Sequence, residues 1–259
     1  MLSAIEERRA RLLSHLAAAR YASVAELSQV LGYSAATVKR DLQALERTGQ
    51  LHRTRGGATF SPQDKIDIPY LMKVASFGAE PEKDRVAGLA QQLIRDDMTL
   101  VLDSSTTALH LVRYLNKFRG LRIITNGVMT AMVVSEHTDA QVCILGGEIS
   151  SKHQTIRGSK AYNDMLSYNV DLAITSCRGF GLETGATEVS EGDALIKQAM
   201  RRQATELAVL FTSDKLDKAY LNRGLALSDI DVVVTDAELS PKQLEALDAS
   251  NVEVLMPSH

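Results

Sequence analysis

The chain has 259 residues, 45% hydrophobic and 24% charged, with a formal net charge of −3; these values exclude a disordered or fibrous chain and allow one large domain or two small ones. Two cysteines, Cys143 and Cys177, are too few for a disulfide framework, and no apolar run reaches the roughly 20 residues of a membrane span, so a reducing, cytoplasmic setting without membrane contact is expected. Charge is uneven: residues 1–58 carry nine Lys/Arg against five Asp/Glu, giving +4, while residues 59–259 carry twenty against twenty-seven, giving −7, which predicts a small head that meets an anion such as nucleic acid and a larger body that does not.

The head reads as three short helices and a hairpin. The opening MLSAIEERRARLL holds two glutamates and no uninterrupted apolar core, so no signal peptide is expected. Ile5, Leu12 and Leu16 fall on one face of a first helix. Ser23 and Glu26 form a capping box for a second helix, with Leu27, Val30 and Leu31 facing inward. Gly32-Tyr33 turns the chain, Ser34 caps a third helix with Val38, Leu42 and Leu45 inside, and Gly49 stops it. Two helices joined by a tight Gly-containing turn make a helix-turn-helix.

The outer side of the third helix carries Ala35, Ala36, Thr37, Lys39 and Arg40 behind Ser34. Small residues permit close approach to base edges, and Thr, Lys and Arg bond bases or phosphates. LHRTRGGA then supplies a strand with Arg53 and Arg55 and a Gly56-Gly57 turn, a basic wing for the phosphate backbone. The expected head is a winged helix-turn-helix over residues 1–58; a three-helix interaction module with solvated arginines is the alternative. Residues 59–75, with Pro62 and Pro69 and little periodicity, read as a linker.

Residues 76–259 alternate strand and helix patterns. TLVLD (99–103), RIITN (122–126), QVCILGG (141–147), VDLAITS (170–176), ELAVLFTS (206–213), DVVVTD (231–236) and VEVLM (252–256) are continuous apolar runs. They predict an α/β domain with a mainly parallel sheet covered on both faces. Ser240-Pro241 marks a late helix start.

Ligands of such sheets bind at the carboxyl ends of strands. Asp103, Ser104, Ser105, Thr106 and Thr107 follow the first strand and open a helix, where hydroxyls and backbone N–H groups suit a phosphate or simply cap. Thr125, Asn126 and Gly127 end the second strand, Gly146 and Gly147 the third, and Arg178 and Gly179 lie just past the fourth. Lys197 and Lys215 are candidate cationic contacts. The six histidines have no paired spacing and neither cysteine has a CxxC partner, so no metal or other cofactor is expected. GFGLETG lacks the spacing of a dinucleotide fingerprint. Glu191, Asp193 and Asp103 leave open an acid/base role in a sugar-phosphate isomerase that carries a nucleic-acid-binding head.

Residues 23–58, SVAELSQVLGYSAATVKRDLQALERTGQLHRTRGGA, resemble the DNA-binding head of the DeoR family of bacterial transcription regulators, with its TIRRDL-like helix and RxHGGA-like wing. The body resembles the sensor domain of that family in LDSSTTALHL (102–111), ITNG (124–127), ILGGEIS (144–150), Gly158, SCRGFGLETGAT (176–187), DALIKQAM (193–200) and TSDKLDK (212–218). The resemblance implies a sensor similar to the ribose-5-phosphate isomerase and CoA-transferase fold that binds a phosphorylated sugar without catalysis. It implies that Ser104–Thr107 hold the phosphate with Lys215 as cationic partner, and that Asp103, Asn126, Arg178 and Lys197 face the sugar. Lys39, Arg55 and Ser105 depart from the family's usual arginine, histidine and glycine. The expected protein is a repressor of a sugar-catabolism operon whose heads bind double-stranded operator DNA as a dimer or tetramer.

Overall fold

A computed structural model describes residues 4–19, 21–47, 51–54, 56–59, 80–150 and 154–257. The chain divides into two compact units, Met1–Phe77 and Gly78–His259. Gly49, Arg55 and residues 60–75 of the expected linker lie outside the described residues.

In the first unit α1 spans Ala4–Ala19, α2 Val24–Leu31 and α3 Ala35–Arg47. The predicted capping box forms: the Glu26 N–H donates to Ser23 Oγ at 3.1 Å and the Ser23 N–H donates to Glu26 Oε2 at 2.7 Å. Gly32 ends α2 at φ 74°, a left-handed geometry that favours glycine. The Thr37 N–H donates to Ser34 Oγ at 3.3 Å, capping α3. Leu12, Leu16, Leu27, Leu31, Val38, Leu42 and Leu45 are buried together. Ile5 and Val30, expected inside, are about half exposed. Ile5 lies in the first turn of α1, and Val30 is rotated to the rim because Leu27 and Leu31 centre the buried stripe of α2.

The wing strands β2 (His52–Thr54) and β3 (Gly57–Thr59) join an unpredicted strand β1 (Tyr21–Ser23) in a sheet ordered β1-β3-β2. Thr59 therefore belongs to the head and not to the linker, since it pairs with both Tyr21 and His52. Gly57 permits the β1 pairing: a Cβ there would lie 2.4 Å from Ala22 O.

The second unit is built on seven parallel strands, each matching one predicted apolar run: β4 (Thr99–Leu102), β5 (Arg122–Thr125), β6 (Gln141–Ile144), β9 (Val170–Ser176), β12 (Ala204–Phe211), β14 (Val232–Thr235) and β15 (Glu253–Leu255). Their order is β15-β14-β12-β9-β4-β5-β6. The chain builds outward from β4 to β6, then returns to lay β9 on the other side of β4. The order thus reverses between β4 and β9, the crevice where open α/β sheets bind ligands. The central strands are apolar on both faces because both are covered; β6, at the edge, leaves Ile144 44% exposed.

Two small sheets were not legible in the sequence. β7 (Glu148–Ile149) pairs β8 (Ile156–Arg157), and β10 (Gly179–Gly181), β11 (Gly185–Glu188) and β13 (Asn222–Leu225) form an antiparallel sheet. The latter is joined to the main sheet by Phe180, stacked on Phe211 with ring centroids 4.5 Å apart. Among the helices, α4 (Pro81–Ala90) opens this unit, α5 (Thr106–His110) and α6 (Val112–Leu115) follow β4, α7 (Val128–His137) follows β5, α8 (Ser159–Met165) follows β8, and α9 (Glu191–Gln203) precedes β12.

Candidate functional site

Asp103 leaves the end of β4 and reaches across the reversal to the end of β9. Its Oδ1 accepts from the Ser105 N–H at 2.9 Å. Its Oδ2 accepts from Thr175 Oγ1 at 2.5 Å, from the Ser176 N–H at 3.2 Å and from Lys197 Nζ at 3.2 Å. Lys197, on the buried side of α9, also donates to Ser176 O and stands 2.7 Å from Glu188 Oε1 at the end of β11. All three side chains are under a tenth exposed. Buried charges persist when paired and hydrogen-bonded, and the strand ends supply those bonds.

Two carboxylates share one ammonium in this cluster. Burial works to raise the Asp103 carboxyl, but Lys197, Ser105 and Thr175 together hold it below its ordinary range. Burial raises Glu188 despite Lys197 beside it. Burial works to lower Lys197, and Glu188 and Asp103 reverse this, so it stays protonated. Asp103 and Lys197, expected to face a sugar, are thus bonded to each other and to the protein, where they fix the floor of the site. Cys177, next to Ser176, is inert: burial pushes its thiol up to about 12.

Above this floor the hydroxyl loop is held in place. The Ser104 N–H donates to Asn126 Oδ1 at 3.1 Å, and Asn126 Nδ2 donates to Thr155 Oγ1 at 3.1 Å and to Ile156 O at 3.3 Å. Thr155 Oγ1 in turn bonds Ser104 Oγ. Ser105 Oγ caps α5 by accepting from the Ala108 N–H at 3.1 Å, and Thr107 Oγ1 lies 3.5 Å from Ser176 Oγ. The Gly127 N–H donates to Thr125 Oγ1 at 3.0 Å, and a Cβ on Gly127 would meet Ser104 Cα at 2.9 Å, so the loop needs glycine there.

Among the described residues a cation that sequence reasoning passed over bonds this loop. Lys83 Nζ, from α4, donates to Thr106 Oγ1 at 2.9 Å and to Glu80 Oε1 at 2.7 Å. Lys215 bonds Asp214 Oδ2 at 2.8 Å instead. Gly146 and Gly147 pack toward α8, where the Gly146 N–H donates to Asp164 Oδ2 at 2.6 Å. Gly179 makes room for Lys218 O, which a Cβ would approach to 2.2 Å. Arg178 is half-buried near Glu188, and its N–H donates to Thr187 O at 3.0 Å. Glu188, Thr155 and Thr175 were also missed; Glu188, immediately after the SCRGFGLETGAT stretch, carried the one usable signal.

Glu80 has a consequence for acid stability. Burial works to raise its carboxyl, but His110 and Lys83 depress it from 4.5 to about 2. A carboxyl lowered on folding stabilises the protein above its unfolded value, and that contribution is lost as pH falls from about 4.5 to about 2. Glu80→Gln is therefore expected to flatten the fall of melting temperature over that window. A variant curve parallel to that of the unmodified protein would refute the assignment.

On the head, Ser34, Ala35, Ala36, Lys39 and Arg40 are exposed and Thr37 is half-buried, all in the first turns of α3. Arg53 is exposed in β2, 3.6 Å from Glu46 Oε2. Such an exposed pair is worth little. Among the described residues no group of three His, Cys, Asp or Glu side chains is placed to hold a metal ion, and no helix is long and apolar enough to cross a membrane.

Comparison with known proteins follows the same division. Residues 8–64 match the DeoR-like helix-turn-helix domain and residues 79–237 the DeoR C terminal sensor domain. The chain is 30% identical over 251 residues to the HTH-type transcriptional repressor GlcR of Bacillus subtilis, covering 97% of this chain and 96% of that one. It is 26% identical to a putative aga operon transcriptional repressor of Escherichia coli O157:H7, covering 96% and 93%. Among solved structures, a ribose 5-phosphate isomerase from Methanocaldococcus jannaschii aligns over 54% of this chain and 55% of its own, at 19% identity and a TM-score of 0.40. With both of its domains matched and a full-length relative at this identity, the chain belongs to the DeoR family of transcriptional regulators.

Proposed function

We propose that this protein represses a sugar-catabolism operon by binding double-stranded operator DNA, that a phosphorylated sugar at the β4–β9 crevice controls it, and that it acts without catalysis in the cytoplasm. The observation that carries the reading is the hydroxyl loop with Lys83 on Thr106, set over a buried charged floor at the reversal of the sheet. Oxygen-rich anions suit such a set of hydroxyls, N–H groups and an ammonium. Lys83 and the side chains of Ser104–Thr107 take the phosphate; Lys215 and Arg178 flank the sugar. The repressor relatives support the regulatory role. Two heads of a dimer or tetramer read two half-sites, because one head contacts too few bases. The effector shifts the assembly by binding its DNA-competent and DNA-incompetent states unequally.

The test is fluorescence anisotropy of the purified protein on DNA from its own upstream region at fixed salt, with and without a panel of phosphorylated sugars. Specific binding altered by one of them is expected. Lys83→Met should raise the sugar phosphate concentration needed for the response by about tenfold, the worth of one charge-assisted hydrogen bond, and leave DNA binding unchanged. Specific binding that no sugar phosphate alters would refute the sensor assignment, and turnover of a sugar phosphate by the full chain would replace it with an isomerase.

A further inference from the structure

The head contains an ionic cluster that its recognition surface does not use. Asp41 lies on the inner side of α3 beside Val38, Leu42 and Leu45, and is 1% exposed. Its Oδ2 accepts from Arg8 Nε at 2.5 Å and its Oδ1 from Arg9 Nε at 2.9 Å. Burial works to raise this carboxyl, and the two arginines more than reverse it, so Asp41 is ionised. Among the described residues one negative charge therefore meets two positive ones, and one cation is left over.

The two arginines differ in how they are held. The Arg8 guanidinium also lies over the Tyr33 ring, 4.9 Å from its centroid, and its side chain is 15% exposed. It ties α1 to the residue just before the Ser34 cap of α3. The Arg9 side chain is 32% exposed, and among the described residues its bonds are made through Nε alone. Among the described residues its Nη edge is thus open. Arg8 compensates Asp41 and closes the packing; Arg9 is the surplus charge, pre-oriented by a buried carboxylate. Through Arg8 on Tyr33 the cluster reaches the turn that opens α3, a helix that in helix-turn-helix heads enters the major groove with phosphates on either side.

We infer that Arg9 is a DNA-phosphate contact, its Nε edge anchored on Asp41 and its Nη edge donating to a backbone phosphate oxygen beside the half-site. The planar fork of arginine suits both tasks at once, and anchoring one edge reduces the ordering cost of the contact. A phosphate contact fixes register and adds affinity on any sequence. The inference rests on the head binding DNA and adds to its surface a residue of α1.

Salt dependence separates this role from a structural one. Full-length protein is titrated by anisotropy against its upstream duplex and against a random-sequence duplex over a series of salt concentrations. Each phosphate contact contributes about 0.9 to the slope of log affinity against log salt. Arg9→Ala is expected to reduce the slope by about 0.9 per head on both duplexes. Arg9→Gln, which keeps a donor for Asp41 without the charge, should give the same reduction with the melting temperature of the unmodified protein. An unchanged slope in folded Arg9→Gln overturns the inference and leaves Arg9 a packing partner of Asp41. Unmodified protein whose affinity for the random duplex ignores salt overturns it together with the DNA-binding reading, which distinguishes the two failures.

Discussion

Lys197→Met is expected to lower the unfolding free energy by about 3–5 kcal/mol, the cost of leaving a buried carboxylate without its partner. For a domain of this size that is a fall in melting temperature of roughly 6–20 °C. The cause is the arithmetic of the cluster: Lys197 is the ammonium 3.2 Å from Asp103 and 2.7 Å from Glu188, and methionine leaves two buried carboxylates facing each other. Asp103 keeps the donors on Ser105, Thr175 and Ser176, so Glu188, already raised by burial, is the group destabilised most. Adding Glu188→Gln to Lys197→Met should therefore recover part of the loss. A double-mutant cycle by thermal or urea unfolding measures this coupling. A loss below about 1 kcal/mol for the single variant would mean that the cluster is hydrated and its charges are screened.

Arg40→Ala is expected to weaken binding to the upstream DNA by about 1–3 kcal/mol per head, roughly 5- to 150-fold, while leaving the sugar phosphate response of the sensor intact. Arg40 is exposed on α3 among small neighbours that allow close approach to base edges. Its loss should remove sequence preference more than affinity for random DNA, the opposite of the pattern expected for Arg9. Competition titrations with unrelated duplex separate the two patterns. Equal losses on specific and random DNA would make Arg40 a phosphate contact, and loss of both DNA binding and effector binding would overturn the division of labour between the two units.

Local features were legible wherever a residue type acts on its own neighbourhood. Ser23 with Glu26 and Ser240 with Pro241 announced helix starts, because a hydroxyl satisfies N–H groups three residues on whatever the rest of the chain does. The seven apolar runs announced seven strands, because short β-branched runs between helical patterns suit a parallel sheet whose central strands are covered on both faces. The short strands β1, β10, β11 and β13 escaped: at three or four residues, with glycines inside β10, β11 and β13, they carry no period, and pairing partners elsewhere in the chain create them.

The site divides in the same way. The sequence by itself determined the helix-turn-helix, the alternating α/β body and the family resemblance, and it singled out the hydroxyl loop after the first strand of the body as a candidate. Only the tertiary structure decided that Asp103 meets Lys197 from 94 residues away, that Glu188 completes their cluster, and that Lys83 rather than Lys215 reaches the hydroxyl loop. The reason is strand order. Caps and periodicity are written in spacings of three or four residues, whereas the reversal between β4 and β9 is set by how whole strands pack into one sheet, and it alone chooses which distant side chains share a buried space.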